Sequence, residues 1–145
     1  MPAKRSTKSS TAKRSEAYVD TSALIAFADR SDSHHALFLR LFGDPPPLYT
    51  TSLVVAEGHG WFLKRYDIQK GLQFLSMVES MPLEIITIGA VEQRAAIKII
   101  RKFPDQDLTL TDAAGLYLMA VRRIRVCWST DFHLGLMKVP LVVYA

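Results

Sequence analysis

The chain has 145 residues, 49% of them hydrophobic, which suits one ordinary buried core. A single cysteine, Cys127, excludes a disulfide framework and a cysteine-based zinc site, and fits a reducing cytoplasm. No apolar run nears the ~18–20 residues of a membrane span, and the formal charge is +4.

That charge sits at the front. Residues 1–16, "MPAKRSTKSSTAKRSE", hold five Lys/Arg and one Glu, and the remaining 13 basic and 13 acidic residues cancel. The sequence pI near 9.3 therefore belongs to the tail. With no apolar core of its own, the tail is not a secretory signal. It reads as a disordered leader or a misassigned start, or as a loose electrostatic arm for nucleic acid. Residues 17–145 then read as one domain.

Within that domain, "AYVD" (17–20) reads as a buried strand and "SALIAFAD" (22–29) as a helix. A second helix, 33–43, is stopped by Gly43 and the prolines at 45–47. Strand 48–51 leads into helix 52–66, with Ser52 as the expected cap. Gly58 and Gly60 weaken that helix by about 1 kcal/mol each relative to Ala. Helix 68–80 shows an apolar stripe at Leu72, Leu75 and Val78–Met81. Strand 83–88 and helix 90–103 follow, the latter with Val91, Ala95 and Ile99 on one side. Helix 111–123 and strands 125–130 and 141–144 complete the chain. Short apolar strands alternating with longer helices predict a three-layer α/β/α sandwich around a mainly parallel sheet.

Ligands of such sheets bind beyond the carboxyl ends of the strands. Asp20 ends the first strand and Asp131 follows strand 125–130. Glu57 and Asp112 lie in early helix turns. If helix starts and strand ends share one rim, four carboxylates converge there. Each has a plainer reading. Asp20 could cap a helix, Asp131 could sit in a turn, and Thr109-x-x-Asp112 could be a capping box. Glu57, among Val54, Val55, Ala56 and Trp61, is harder to dismiss. Two carboxylates ~4 Å apart repel by about 1 kcal/mol in water and about 4 at an effective dielectric of 20. Such a cluster traps protons or binds cations, and hard oxygen ligands select Mg²⁺ or Mn²⁺. Bound there, such an ion can activate water and steady charge building on a phosphodiester.

The stretches "YVDTSALIAF", "TTSLVVAEGHG", "LTLTDAAGLYLMA" and "WSTDFHLGLM" resemble, in order and spacing, the motifs of the PIN-domain ribonucleases, over about residues 17–145. The compact length resembles the VapC toxins of toxin–antitoxin pairs. The resemblance implies Mg²⁺- or Mn²⁺-dependent cleavage of RNA, single-stranded or structured, with tRNA and rRNA as candidate targets. It assigns the acidic catalytic and metal-binding roles to Asp20, Glu57, Asp112 and Asp131. It gives Thr21, Ser22 and Thr130 a supporting role, and makes Asp105 and Asp107 further candidates against the reading of a solvated turn. It also implies a homodimer and an antitoxin partner. The aromatic excess on helices 33–43, 52–66 and 68–80 could line a groove for an antitoxin helix and a dimer contact.

Two other readings compete with this one. Glu57 and His59 point about 200° apart on a helix, so they cannot share one zinc-ligand face. A non-catalytic RNA-binding or partner-binding module remains the alternative to an enzyme. The retained acids and the neutral body argue against it.

Overall fold

The structure is a computed structural model and describes residues 16–130. Among the described residues, four parallel strands form one sheet in the order β3-β2-β1-β4, with β1 at Ala17–Val19, β2 at Leu48–Thr51, β3 at Leu83–Ile86 and β4 at Val126–Trp128. Every residue of β1 is buried, so both faces of the sheet centre are covered. The helices are α1 (Thr21–Ala28), α2 (His35–Gly43), α3 (Ser52–Arg65), α4 (Ile68–Ser80), α5 (Ala90–Lys102) and α6 (Leu110–Arg122). The predicted α/β sandwich is thus the observed class. The basic tail through residue 15, Asp131 and the expected strand 141–144 lie outside the described residues.

Local chemistry explains the close fits and the misses. Thr51, not Ser52, caps α3: the Val54 N–H donates to Thr51 Oγ1 at 3.3 Å. The Ser52 hydroxyl instead accepts the Ile88 N–H at 3.1 Å and ties α3 to the end of β3. Helix α3 runs unbroken through Gly58, because that glycine lets α4 approach. A Cβ there would run into the Phe74 ring. The same packing turns α4 so that Gly71, Phe74 and Val78 face inward, leaving Leu72 52% exposed. In α5 the buried residue is Ala96, packed with Ala113 and Ala114 of α6, while Val91 is 61% exposed. Of the aromatic excess, Phe38, Phe62 and Phe74 are core residues.

Among the described residues, no helix is long and apolar enough to cross a membrane.

Candidate active site at the carboxyl edge of the sheet

Strands β1 and β4 pair in register, Val19 opposite Trp128. The residue after each strand end is therefore a neighbour of the other: Asp20 meets Ser129. Ser129 Oγ donates to Asp20 Oδ2 at 2.9 Å, and Ser22 Oγ, one residue into α1, donates to the same oxygen at 3.1 Å. The two hydroxyls are 3.2 Å apart. The Thr130 N–H donates to Ser22 Oγ at 3.0 Å and fixes that side chain in turn. Asp20 occupies the N-cap position of α1 without a side-chain capping bond, so helix capping does not account for it.

Asp112 arrives from the first turn of α6, where it does cap. Its Oδ2 accepts the Thr109 N–H at 3.2 Å, and its own N–H donates to Thr109 Oγ1 at 3.0 Å. The capping box predicted as the plain alternative is real. It also fixes a buried carboxylate close to a second one.

Burial pushes the Asp20 carboxyl up to about 6, and the charge of Asp112 adds to the rise. The Ser129 and Ser22 hydroxyls and the Thr21 amide counteract only part of it. Beneath the site, burial first and the charge of Asp20 second hold the Tyr18 phenol well above its ordinary value, so it stays neutral. Gly115 of α6 makes room for it: a Cβ there would stand 2.7 Å from the Tyr18 hydroxyl.

The other sequence candidates are placed differently. Glu57 lies on an exposed face of α3, contrary to the packed position that its apolar neighbours suggest. Among the described residues, no group of three His, Cys, Asp or Glu side chains could hold a metal ion. Asp105 and Asp107 are exposed in the loop between α5 and α6, and Asp107 adopts a left-handed φ of 52°. Thr21 contributes its amide to Asp20, while its buried hydroxyl has no hydrogen-bond partner among the described residues. Thr130 contributes a backbone N–H. The residue that sequence reading missed is Ser129, whose hydroxyl touches Asp20 from 109 positions away.

The donor set suits a hard divalent cation. The groups acting most strongly on Asp20 are hydroxyls, an amide and a second carboxylate, with no cationic side chain among them. Close carboxylates relieve their mutual repulsion by taking up a proton or a cation.

Residues 17–134 match the PIN domain, and the chain belongs to that family. It is a VapC-like member. It is 29% identical over 114 residues to Ribonuclease VapC26 of Mycobacterium tuberculosis, covering 78% of this chain and 84% of the relative. The crystal structure of Mycobacterium tuberculosis VapC20, described as a Sarcin-Ricin loop cleaving toxin, superposes with a TM-score of 0.79 at 18% identity, over 86% of this chain and 96% of that one. A toxin–antitoxin complex from Klebsiella pneumoniae gives 0.58 at 20% identity, over 88% and 96%. At these identities the structural likenesses bear on the fold.

Proposed function

We propose that the protein is a divalent-metal-dependent endoribonuclease acting as the toxin of a VapBC-type pair. The observation that carries the reading is the buried Asp20 carboxyl, pushed to about 6 and set beside Asp112 at the carboxyl edge of the sheet. Asp20 and Asp112 would hold Mg²⁺ or Mn²⁺, with Glu57 and Asp131 completing the set. The bound ion supplies an activated water and offsets charge on the phosphodiester. Ser22 and Ser129 hold Asp20 Oδ2 in one orientation, and Thr109 does the same for Asp112 Oδ2. Pre-set carboxylates spare the site the cost of ordering them when RNA arrives.

An antitoxin is the proposed protein partner. Leu39, Leu63, Ile68 and Leu72 leave apolar surface on α2, α3 and α4 for it or for a homodimer contact. The proposed compartment is the cytoplasm, where RNA and antitoxin are found. The basic tail is the proposed electrostatic arm: deleting residues 1–15 should leave the melting curve and the chemical step unchanged and weaken RNA binding mainly at low salt. A deletion that lowers the melting temperature would make the tail part of the domain.

The deciding experiment is cleavage of a labelled RNA by purified protein with Mg²⁺, with EDTA, and by Asp20→Asn. Cleavage is expected in the first case alone. Binding without cleavage under every metal condition would favour the non-catalytic module. Calorimetric titration with Mn²⁺ should show binding that a variant neutralised at Asp20, Glu57, Asp112 and Asp131 lacks.

A further inference from the structure

A cavity of about 750 Å³ opens away from Asp20, at the other end of α1. Its wall is built from the last turn of α1, the end of α3 and the first turns of α4. Asp20 precedes α1 and Asp29 follows it, about 13 Å apart along the axis at a rise of 1.5 Å per residue.

Two features of this wall belong together. The first is charge. Arg30 and Lys70 line the cavity, and Lys64 and Arg65 end α3 beside it. All four are exposed and none forms a salt bridge among the described residues, while Arg65 lies 5.6 Å from the Tyr66 ring centroid and its charge acts on Asp29. Among the charged residues lining the cavity, Arg30 and Lys70 outnumber Asp29, on a body whose charges sum to zero. The second is a ladder of rings. Phe74 stacks on Phe62 with centroids 5.2 Å apart, and Phe62 on Tyr66 at 6.1 Å. The last rung, Tyr66, is 40% exposed. Its hydroxyl donates to both oxygens of the buried Asp29 carboxylate at 3.1 Å, so the ring is held in place. Asp29 is itself fixed by the Ser31 N–H at 3.0 Å and the Ser31 hydroxyl at 2.8 Å.

We propose that this cavity is a second RNA-binding subsite, in which an unpaired base stacks on Tyr66 while neighbouring phosphates lie against Arg30 and Lys70. Asp29 is a positioning residue that acts through Tyr66. Single-stranded RNA offers a flat π face and a negative charge at every nucleotide, which together answer both features of the wall. An uncharged amphipathic helix would use the rings and leave the cations unanswered. The pre-fixed ring lowers the ordering cost of stacking. The subsite deepens the nuclease reading and relies on it for the identity of the polymer.

The test is fluorescence anisotropy of a labelled single-stranded RNA of mixed sequence, with full-length Asp20→Asn protein in EDTA at several salt concentrations. Adding Arg30→Glu and Lys70→Glu should reduce the salt dependence of log K by about 1.4, two phosphate contacts at about 0.7 each. Tyr66→Ala should weaken binding at least about 5-fold, the lower bound for lost base–aromatic stacking. Tyr66→Phe keeps the ring and should lose less than Tyr66→Ala. Reversing Arg94 and Lys98 on α5 is the charge-matched control and should leave the salt slope at its parent value. If the control costs as much as Arg30→Glu/Lys70→Glu, binding is diffuse and the subsite is wrong. If RNA affinity is untouched by all the cavity variants, the cavity belongs to a protein segment and the subsite is again wrong. Kinetics on the chain with Asp20 intact separate this idea from the nuclease reading. Raised KM with unchanged kcat in Arg30→Glu/Lys70→Glu supports both. Cleavage with unchanged KM ends the subsite alone. RNA bound through Arg30 and Lys70 but never cut ends the nuclease reading alone.

Discussion

Two aspartates bracket helix α1, each with little exposed surface, 4% at Asp20 and 9% at Asp29, but Asp20 lies deep in the fold and Asp29 just below its surface. Yet the Asp20 carboxyl is pushed up to about 6, while that of Asp29 is held below its ordinary value. At both positions burial is the largest influence and favours the neutral acid. The outcome turns on how deep each carboxyl lies and on what opposes its burial. Asp29 receives the Ser31 hydroxyl and amide, the Tyr66 hydroxyl and the charge of Arg65, and together they outweigh burial. Asp20 receives hydroxyls and an amide but faces Asp112, another anion. One carboxylate is satisfied by the protein and does structural work. The other keeps a raised value, as expected of a carboxyl buried deep beside a second anion.

The largest expected effect comes from removing the unsatisfied charge. Asp20→Asn should abolish cleavage. Its effect on stability has the opposite sign. A folded value of about 6 lies above the ordinary 3.8, so stability is fully present below about pH 4 and declines as pH rises through 6. The gap of about two units corresponds to roughly 3 kcal/mol. In EDTA at pH 8, Asp20→Asn should therefore be more stable than wild type by up to about 3 kcal/mol, with little difference at pH 4. Saturating Mg²⁺ should reverse the order, because only wild type gains the binding free energy. Melting curves under these conditions measure both signs. A variant that cuts RNA at the wild-type rate would remove Asp20 from the catalytic set.

At the other end of α1 the sign inverts. Asp29→Asn should destabilise by about 1.5–3 kcal/mol at pH 7, the usual range for hydrogen bonds to a charged group. A lowered folded value makes the stabilisation present above the ordinary carboxylate range, and it disappears as pH falls through the folded value. The two proteins should accordingly melt together in acid and apart at neutrality. A gap that persists in acid would mean that Asp29 acts by shape and not by charge.

The sequence carried the class of fold because short apolar strands and capped helices are local signals. It placed Asp20 at a strand end and Asp112 in the first turn of a helix, because strand ends and helix starts can be read from the same signals. It failed where a partner decides. Leu72 and Phe74 are both apolar on α4, and only the approach of α3 at Gly58 selects Phe74 for the core. Thr51 and Ser52 offer equivalent hydroxyls, and the position of Ile88 takes Ser52 away from capping. Glu57 looked inward because its sequence neighbours are apolar, but α3 turns it to an exposed face. Ser129 was invisible because its role exists only once β1 and β4 pair.

Ser129 gives the smallest and most selective test of the comparison. Its hydroxyl is the strongest influence opposing the rise at Asp20, ahead of the Thr21 amide and the Ser22 hydroxyl. Ser129→Ala should move the Asp20 carboxyl further up from about 6. A metal must compete with the proton for that carboxylate, so the loss of Mn²⁺ affinity should depend on pH. Near pH 6 the variant keeps more of its carboxyl protonated than wild type does, and binding should weaken by several-fold. At pH 8, where the carboxyl ionises in both proteins, the deficit should shrink to the part that comes from misorientation. Ser129→Thr retains the hydroxyl and should recover both values. Calorimetric titration with Mn²⁺ at the two pH values measures each part. An equal loss at both would mean that the hydroxyl orients Asp20 without tuning its proton, and Asp20 and Asp29 would then differ only through Asp112 and burial.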